Sequence, residues 1–286
     1  MSKVLKALFV PIMFAFALYL LFGLLPAVFS GNTQLNPVFV TVGGLQIKWY
    51  GLLIACGILL AYLMSSKELK KDGFSESTSD SLILITVLSG VIGARLGFVL
   101  QSTQYYFSTA HYMEIFKIWD GGLSIHGALI VGALAIYIFC KSSKLNILTA
   151  ANDIAPSVFL AGAIGRWGNF FNYEIIGKPT NIIWKMFVPA ADRPIGFEAY
   201  SYFHPVFLYE SLLLALALII YLVFKKSLKQ YAFAYTLVFY SLARIIVEFW
   251  RIDYKPIFSF LDFAQLISLF IIVLGVGIYF YQKKHQ

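Results

Sequence analysis

The sequence predicts an all-α fold, a polytopic bundle of seven or eight transmembrane helices with a small outward-facing segment between two of them. Two observations predict this fold. The chain is 60% hydrophobic and only 13% charged, whereas soluble domains carry about a quarter of charged residues. Long apolar runs also recur along the chain, and a helix needs about 20 mostly apolar residues to cross a bilayer. Lipid must therefore be the solvent over much of the chain.

Eight apolar segments are long enough to be candidate spans, and short segments with turn residues and lysines separate them. They are 4–29, 50–66, 80–101, 122–140, 151–172, 205–224, 231–250 and 261–281. The first has two interpretations, because a basic start and a small residue after the apolar run also resemble a signal peptide. Its length favours a retained helix. We therefore divide the chain into an additional N-terminal segment over 1–30 and a membrane domain over 31–286.

The distribution of lysine and arginine predicts the orientation, because cytoplasmic loops of membrane proteins are enriched in both. With both termini in the cytoplasm, the cytoplasmic segments hold twelve basic residues and the outward segments hold six. The cytoplasmic twelve are Lys3, Lys6, Lys67, Lys70, Lys71, Lys141, Lys144, Lys225, Lys226, Lys229, Lys283 and Lys284. The longest outward segment then covers about 173–204 and is too polar to lie in lipid.

Composition and motif content exclude several functions. The net charge of +8 follows from lysines in loops, and no basic patch interleaved with aromatic residues predicts a nucleic-acid partner. Cys56 and Cys140 both lie in apolar runs without a CxxC pair, so the sequence predicts neither a disulfide framework nor a metal site. A Walker loop, an HExxH motif and a GxSxG elbow are missing. A soluble nucleotide enzyme, a zinc protease or a serine hydrolase is therefore poorly supported.

The first polar cluster lies at the outward end of the fifth span, where a charged side chain costs about 2.5–3.5 kcal/mol and indicates function. Arg166 and Asn169 are three residues apart and share one helical face, and Asn172, Glu174 and Gly177 follow. A guanidinium group beside an amide suits a phosphate, because it stays charged and offers a rigid fork of donors. Alternatively, Arg166 extends to the interface and pairs with Glu174.

The second cluster lies on the seventh span. Tyr240, Arg244, Glu248 and Arg251 follow at spacings of 4, 4 and 3 residues, which place all four on one helical face. This face must point into the bundle, since lipid does not tolerate it. Arg244 is then a second candidate for the phosphate. Alternatively, Arg244 and Glu248 pair and simply hold the bundle together.

Three further stretches of the chain hold candidates for binding or proton transfer. His126 is the one histidine set within an apolar span, and histidine suits general acid or base work, although a lone histidine is more often structural. His204 and Tyr209 open the sixth span together with Glu210, which needs a basic partner from another span. Tyr50 begins the second span, where a tyrosine is also typical of an interfacial belt.

With these residues in view, the sequence resembles the bacterial prolipoprotein diacylglyceryl transferases. The signature stretch of that family resembles residues 166–174 with Gly177. Four further stretches match in the same order: Trp49-Tyr50-Gly51, Gly122 through Gly127, His204-Pro205 with Leu208-Tyr209-Glu210, and Arg244 through Arg251. The resemblance covers about 40–280. In two places the chain departs from the family, which often has His at the position of Lys48 and Gly at that of Ala128.

The resemblance implies an activity, partners and a location. Members of the family sit in the bacterial cytoplasmic membrane as multi-pass proteins and require no cofactor or metal. They move a diacylglyceryl group from phosphatidylglycerol to the thiol of the lipobox cysteine in a prolipoprotein, so a thioether forms and glycerol phosphate leaves. Phosphatidylglycerol, the lipobox peptide and the surrounding membrane lipids are the implied partners.

The resemblance also implies roles for individual residues. Arg166 and Arg244 hold the lipid phosphate, and Asn169, Glu174 and Glu248 orient them. The candidates for activating the thiol are His126 and Tyr50. The remaining expected substrate-binding positions are Asn172, Gly177, His204, Tyr209, Glu210, Tyr240 and Arg251.

The alternative function is a membrane transporter or channel for an anionic small molecule. Such proteins also place arginine and glutamate inside the membrane, in paired halves of inverted topology. The sequence shows no such pair, and its polar clusters favour the outward side. A purely structural membrane scaffold is a third interpretation, and it predicts that Arg166→Lys is tolerated.

Overall fold

A computed structural model describes residues 20–108, 111–118, 122–252, 256–258 and 261–285. This part of the chain is mainly helical, as predicted. Its ten α-helices are α1 Leu25–Phe29, α2 Trp49–Lys71, α3 Glu76–Gln101, α4 Ile125–Ser142, α5 Ile147–Ile154, α6 Ser157–Phe171, α7 Val206–Val223, α8 Lys225–Leu228, α9 Ala232–Glu248 and α10 Phe263–Lys284.

Six helical segments among the described residues are long and apolar enough to cross a membrane. They are α2, α3, the pair α5 and α6 over Ile147–Phe171, α7, the stretch Lys225–Glu248 that ends with α9, and α10. The predicted span over 122–140 corresponds to α4, whose apolar part Gly127–Ser142 is too short to be counted with them. Residues 1–19, which include the start of the predicted first span, lie outside the described residues. The total of seven or eight spans, like the division at residue 30, stays a prediction.

The structure also contains short β-strands, which the all-α prediction did not include. The described residues form three antiparallel pairs: β1 Val38–Val42 with β2 Leu45–Lys48, β3 Met186–Phe187 with β4 Tyr202–Phe203, and β5 Pro256–Phe258 with β6 Leu261–Asp262. The turn between β1 and β2 consists of Gly43 and Gly44, both with positive φ, which is the backbone that a tight two-residue hairpin requires. The alternating runs beside this Gly-Gly pair are a hairpin signal that the apolar composition obscured.

The chain forms two compact units, and the first comprises Met1–Cys56, Gly162–Leu216 and Tyr240–Ile271. Its core is rich in aromatic side chains, with Phe170, Phe203 and Phe207 fully buried. Phe170 stacks on Phe207 with ring centroids 5.0 Å apart. This packing joins the end of α6 to the start of α7, and both of these helix ends carry polar residues of the predicted site.

The second unit comprises Gly57–Ala161, Ala217–Phe239 and Ile272–Gln286. Here the backbones of α3 and α4 are in contact. A Cβ added at Gly127 would lie only 2.1 Å from the carbonyl oxygen of Gly93. Arg95 is buried and donates from Nε to the carbonyl of Ile115 at 2.7 Å and from Nη1 to that of Gly122 at 3.0 Å. The arginine thereby ties the segment that precedes α4 to α3.

Several of the lysines that predicted the orientation form ion pairs in the second unit. Glu68 is buried and contacts Lys71 at 2.9 Å and Lys225 at 2.6 Å, while Lys229 pairs with Asp72. These contacts hold the end of α2 against the segment that follows α7. The basic residues are therefore part of the packing at this end of the helices as well as a topology signal.

Candidate active site

Three helices of the first unit bring two arginines to one carboxylate. Arg166 lies near the end of α6, Glu210 in the first turns of α7 and Arg244 in the second half of α9. Nη2 of Arg166 lies 2.5 Å from Oε1 of Glu210, and Nη1 of Arg244 lies 3.7 Å from Oε2 of the same residue. Glu210 thus has the basic partners from other helices that its position in the sequence requires.

A second carboxylate continues this arrangement. Oε2 of Glu248 lies 2.7 Å from Nη2 of Arg244, and Oε1 lies 3.4 Å from Nε of Arg251. The prediction that Arg251 shares a helical face with Arg244 and Glu248 is wrong, because α9 ends at Glu248. A turn in which the amide of Arg251 donates to the carbonyl of Glu248 brings the side chain back. Positive and negative groups therefore alternate along the site.

The arginines keep hydrogen-bonding capacity that the described residues do not use. The side chains of Arg166 and Arg244 are 18% and 12% exposed, and that of Glu210 is 1% exposed. The Nε atoms of both arginines are shielded from solvent, yet no described residue accepts a hydrogen bond from them. A buried donor without an acceptor costs about 1–3 kcal/mol. An anion that takes both donors would recover this energy.

The charges of the site favour the same ligand. The guanidinium groups of Arg166 and Arg244 meet at Glu210, and those of Arg244 and Arg251 meet at Glu248. Buried charges are stable only when they are paired and hydrogen-bonded. The row of side chains is therefore suited to a buried phosphate or another oxyanion.

Glu174 has a different partner from the one considered in the sequence. Its carboxylate accepts hydrogen bonds from the amide nitrogens of Asn169 at 3.0 Å and Asn172 at 3.1 Å. Asn169 in turn accepts a bond of 3.5 Å from Nη1 of Arg166. The alternative in which Glu174 is the ion-pair partner of Arg166 is therefore wrong. Asn169 connects the two groups, and Glu210 is the counter-ion.

The turn that carries Glu174 is strained. Tyr173 and Ile175 on either side have positive φ values of 50° and 54°, and a β-branched residue is rarely found in this conformation. The amide of Glu174 donates to the carbonyl of Asn169 at 2.9 Å, which turns the chain back on the end of α6. Strain of this kind persists where the surrounding structure imposes it, often at functional sites.

Gly177 lies where three chain segments meet. Its amide donates to the carbonyl of His204 at 2.9 Å, and the next amide donates to the carbonyl of Trp250 at 2.8 Å. A Cβ at position 177 would lie 2.6 Å from Cβ of His204 and 2.7 Å from the carbonyl oxygen of Trp250. The position therefore requires glycine, and its pairing holds the residues next to Arg251.

We expect Gly177→Ala to lower the free energy of unfolding by about 1–3 kcal/mol, because the methyl group meets backbone that cannot easily move. We also expect a loss of activity, since Trp250 and Arg251 must shift. Thermal unfolding and turnover of the purified variant measure both effects. Gly277→Ala is the matched control, because its added Cβ meets no atom within 4 Å. Equal stability of the two variants would contradict the expectation.

His204 and Tyr209 form a hydrogen-bonded chain of their own. The hydroxyl of Tyr209 lies 3.0 Å from Nδ1 of His204 and accepts a bond of 2.9 Å from Nε1 of Trp184. Burial and, to a lesser extent, Lys178 lower the pKa of His204, which favours the neutral form of the ring. This chain ties the segment 173–204 to α7. Trp184 was missed in the sequence, where only its place in a polar segment could have indicated a role.

The other two predicted tyrosines, Tyr50 and Tyr240, lie close to the arginines. Tyr50 packs against Gly168 of α6, where an added Cβ would lie 2.7 Å from its ring, and it interacts electrostatically with Glu174 and Arg166. Tyr240 is half-buried and interacts electrostatically with Glu210 and both arginines. His126 is the second residue of α4, but its side chain lies outside the described residues.

This fold and this site define a helical membrane protein in which arginines and glutamates from several helices pair with one another. A sequence model of one family, the prolipoprotein diacylglyceryl transferases, matches residues 37–281. The chain belongs to this family and is a transferase. The resemblance stated from the motifs is thereby confirmed.

Curated relatives agree over nearly the whole chain. The phosphatidylglycerol–prolipoprotein diacylglyceryl transferase of Thermotoga maritima is 41% identical over 283 residues, which cover 96% of this chain and 94% of the relative. The enzyme of the same name from Thermotoga petrophila is 42% identical over 263 residues, which cover 89% of this chain and 87% of the relative. The enzyme of the same name from Gloeobacter violaceus is 40% identical over 261 residues, which cover 89% of this chain and 96% of the relative.

Proposed function

We propose that this chain transfers the diacylglyceryl group of phosphatidylglycerol to the cysteine thiol of a prolipoprotein lipobox, forming a thioether and releasing glycerol phosphate. Membership of the family supports the proposal. The observation that carries it is the meeting of Arg166 and Arg244 at the buried carboxylate of Glu210, with the Nε donors of both arginines unused. No feature of the described residues favours the transporter alternative.

The negative charge that develops in this reaction lies on the phosphate of the leaving group, which the two arginines would bind. The thiolate sulfur attacks the glyceryl carbon that bears the phosphate, a C–S bond forms, and the C–O bond to the phosphate breaks. The electron pair leaves with glycerol phosphate, whose negative charge grows during the step. Guanidinium groups already held in place stabilise this growing charge without having to reorganise, and they do so best where water is excluded.

Glu210 prepares the site for this role. Its carboxylate contacts both guanidinium groups and holds them at one point. A phosphate that binds the free Nε donors completes the hydrogen bonding of both arginines. Glu248 and Asn169 contact Arg244 and Arg166 from other sides, so they orient the donors, and Asn172 and Glu174 extend the network towards the segment 173–204.

Substrate access follows from the chemistry of the lipid. Phosphatidylglycerol enters sideways between helices, its acyl chains remain in the bilayer, and its headgroup reaches the arginines. The lipobox peptide brings the thiol from the outward side. The predicted orientation, with the C-terminus in the cytoplasm of a bacterium and the site near the outward face, fits this access. A reporter fused to the C-terminus that is active only in the cytoplasm tests the orientation.

His126 and Tyr50 are the candidates for removing the thiol proton, directly or through water. If His126 is the base, His126→Gln lowers turnover by about 10²-fold or more while the protein keeps its melting temperature, because general base catalysis contributes about 10²–10⁴-fold. The pH profile of turnover would also lose the limb near the ordinary histidine pKa of about 6.5. Tyr50→Phe is the parallel variant. If His126→Gln turns over at the wild-type rate, His126 is not the base and Tyr50 is the remaining candidate.

The direct test uses purified protein in vesicles with phosphatidylglycerol labelled in both the acyl chains and the headgroup. A lipobox peptide with its cysteine is the acceptor, and the same peptide with serine is the control. Mass spectrometry is expected to find peptide-linked diacylglycerol and an equal amount of released glycerol phosphate, only with cysteine. Passage of an anion across the vesicle membrane without either product would support the transporter instead.

A further inference from the structure

The β1–β2 hairpin has one aliphatic face and one polar face. In its register Val40 is opposite Ile47, and Val42 is opposite Leu45. Because side chains alternate between the two sides of a strand, these four share a face. They are 38%, 39%, 62% and 69% exposed, in the order given. The pair between them, Thr41 and Gln46, points to the other side.

Such a hairpin needs a partner for its aliphatic face. A two-stranded hairpin is only marginally stable in water unless its apolar side packs on something. Within the described residues the four side chains remain exposed, and a Cβ added at Gly43 or Gly44 in the turn would meet no atom within 4 Å. A flat, exposed, aliphatic hairpin is also an aggregation hazard in water. The face therefore indicates a medium or partner that is itself apolar.

The position of the hairpin in the chain indicates which partner this is. Strand β2 ends at Lys48, and the candidate span α2 begins at Trp49 with no intervening residue. At a rise of about 1.5 Å per residue, the exposed Ile54 on α2 lies only about 7.5 Å along the helix from Trp49. The headgroup zone on each side of a bilayer is about 5–8 Å deep. A hairpin attached directly to the helix end is therefore held at this depth.

Aromatic contacts tie the hairpin to the helices at this level. Phe39 packs on Trp49 edge to face, and Trp49 stacks on Phe171 at the end of α6, with ring centroids 4.6 Å apart in both pairs. Tryptophan is enriched where membrane meets water. The hairpin is thus fixed to the start of α2 and the end of α6.

We propose that the aliphatic face of the β1–β2 hairpin lies in the lipid of the membrane interface, where it anchors this end of α2. Val40, Val42, Leu45 and Ile47 contact the upper acyl chains, whereas Thr41 and Gln46 face the aqueous side. The partner is the bilayer itself, so the inference goes beyond the transfer reaction and stands independently of it.

The test compares the two faces with a fluorescent probe in the full-length protein. Cys56 and Cys140 are first replaced by alanine, and the melting temperature of this background is compared with that of the wild type. Single cysteines then replace Leu45 or Val42 on one face and Gln46 or Thr41 on the other, each labelled with an environment-sensitive dye. The labelled proteins are placed in phosphatidylglycerol-containing nanodiscs with or without lipids that carry a quencher near the headgroup.

Probes at 45 and 42 are expected to emit at shorter wavelength and to be quenched by the lipid about twofold more than probes at 46 and 41. Aqueous iodide should show the opposite order. Equal quenching on both faces would overturn the proposal. Shielding of 45 and 42 from both quenchers would also overturn it, because a segment of this chain, a second copy or a bound peptide would then cover the face.

Discussion

Replacing Arg166 with alanine is expected to lower the rate of diacylglyceryl transfer by about 10²–10³-fold, the loss seen when one preorganised donor to a developing negative charge is removed. The variant loses a group that is tied to Glu210 at 2.5 Å and whose Nε has no acceptor within the described residues. Turnover of labelled phosphatidylglycerol with a lipobox peptide measures the effect.

Two further variants make the result specific. Arg166→Lys keeps the positive charge but loses the planar fork that binds an oxyanion with two hydrogen bonds, so most of the activity should still be lost. Lys226→Ala removes an exposed charge from the second unit and should leave turnover unchanged. Near-normal turnover of Arg166→Ala would show that Arg166 takes no part in the reaction. Full activity of Arg166→Lys would support the scaffold interpretation.

Glu210→Gln is expected to destabilise the protein by about 3–5 kcal/mol, because removal of one partner from a buried ion pair leaves the other charge uncompensated. Here the carboxylate faces two guanidinium groups and is 1% exposed. Arg166 and Arg244 would then repel each other across a neutral amide. Thermal unfolding of the purified variant, with the transfer assay beside it, measures the loss.

Added phosphate separates this electrostatic explanation from a packing defect. An anion that binds between the arginines replaces the missing carboxylate, so inorganic phosphate should raise the melting temperature of Glu210→Gln more than that of the wild type. Glu198→Gln is the control, because Glu198 lies in the same unit and its carboxylate accepts hydrogen bonds from local backbone amides. A loss of stability that phosphate does not reduce would show that Glu210 is needed for packing alone.

Much of the site could be predicted because lipid limits where charge can lie. Arg166, Glu210 and Arg244 stand out in apolar runs, and each must find a partner within the bundle. The prediction failed where the backbone leaves the helix. Arg251 was placed on the face of α9, but the helix ends at Glu248 and a turn returns the side chain to the same carboxylate.

The partner of Glu174 shows a second limit. Helical spacing relates residues within one helix, but it contains no information about the strained turn at Tyr173 and Ile175. That turn directs Glu174 to Asn169 and Asn172, while Arg166 pairs with a residue 44 positions further along the chain. Such a pair depends on the packing of two helices, which a single sequence does not define.

The sequence by itself determined that this protein is a helical membrane protein with a few buried polar clusters, because the cost of placing charge in lipid acts on each segment separately. Its motifs also determined the family. Only the tertiary structure decided that Glu210 joins both arginines, that Gly177 is enclosed by backbone, and that an amphipathic hairpin precedes α2. These features depend on distances between segments far apart in the chain, or on backbone angles, and composition and helical periodicity do not encode either.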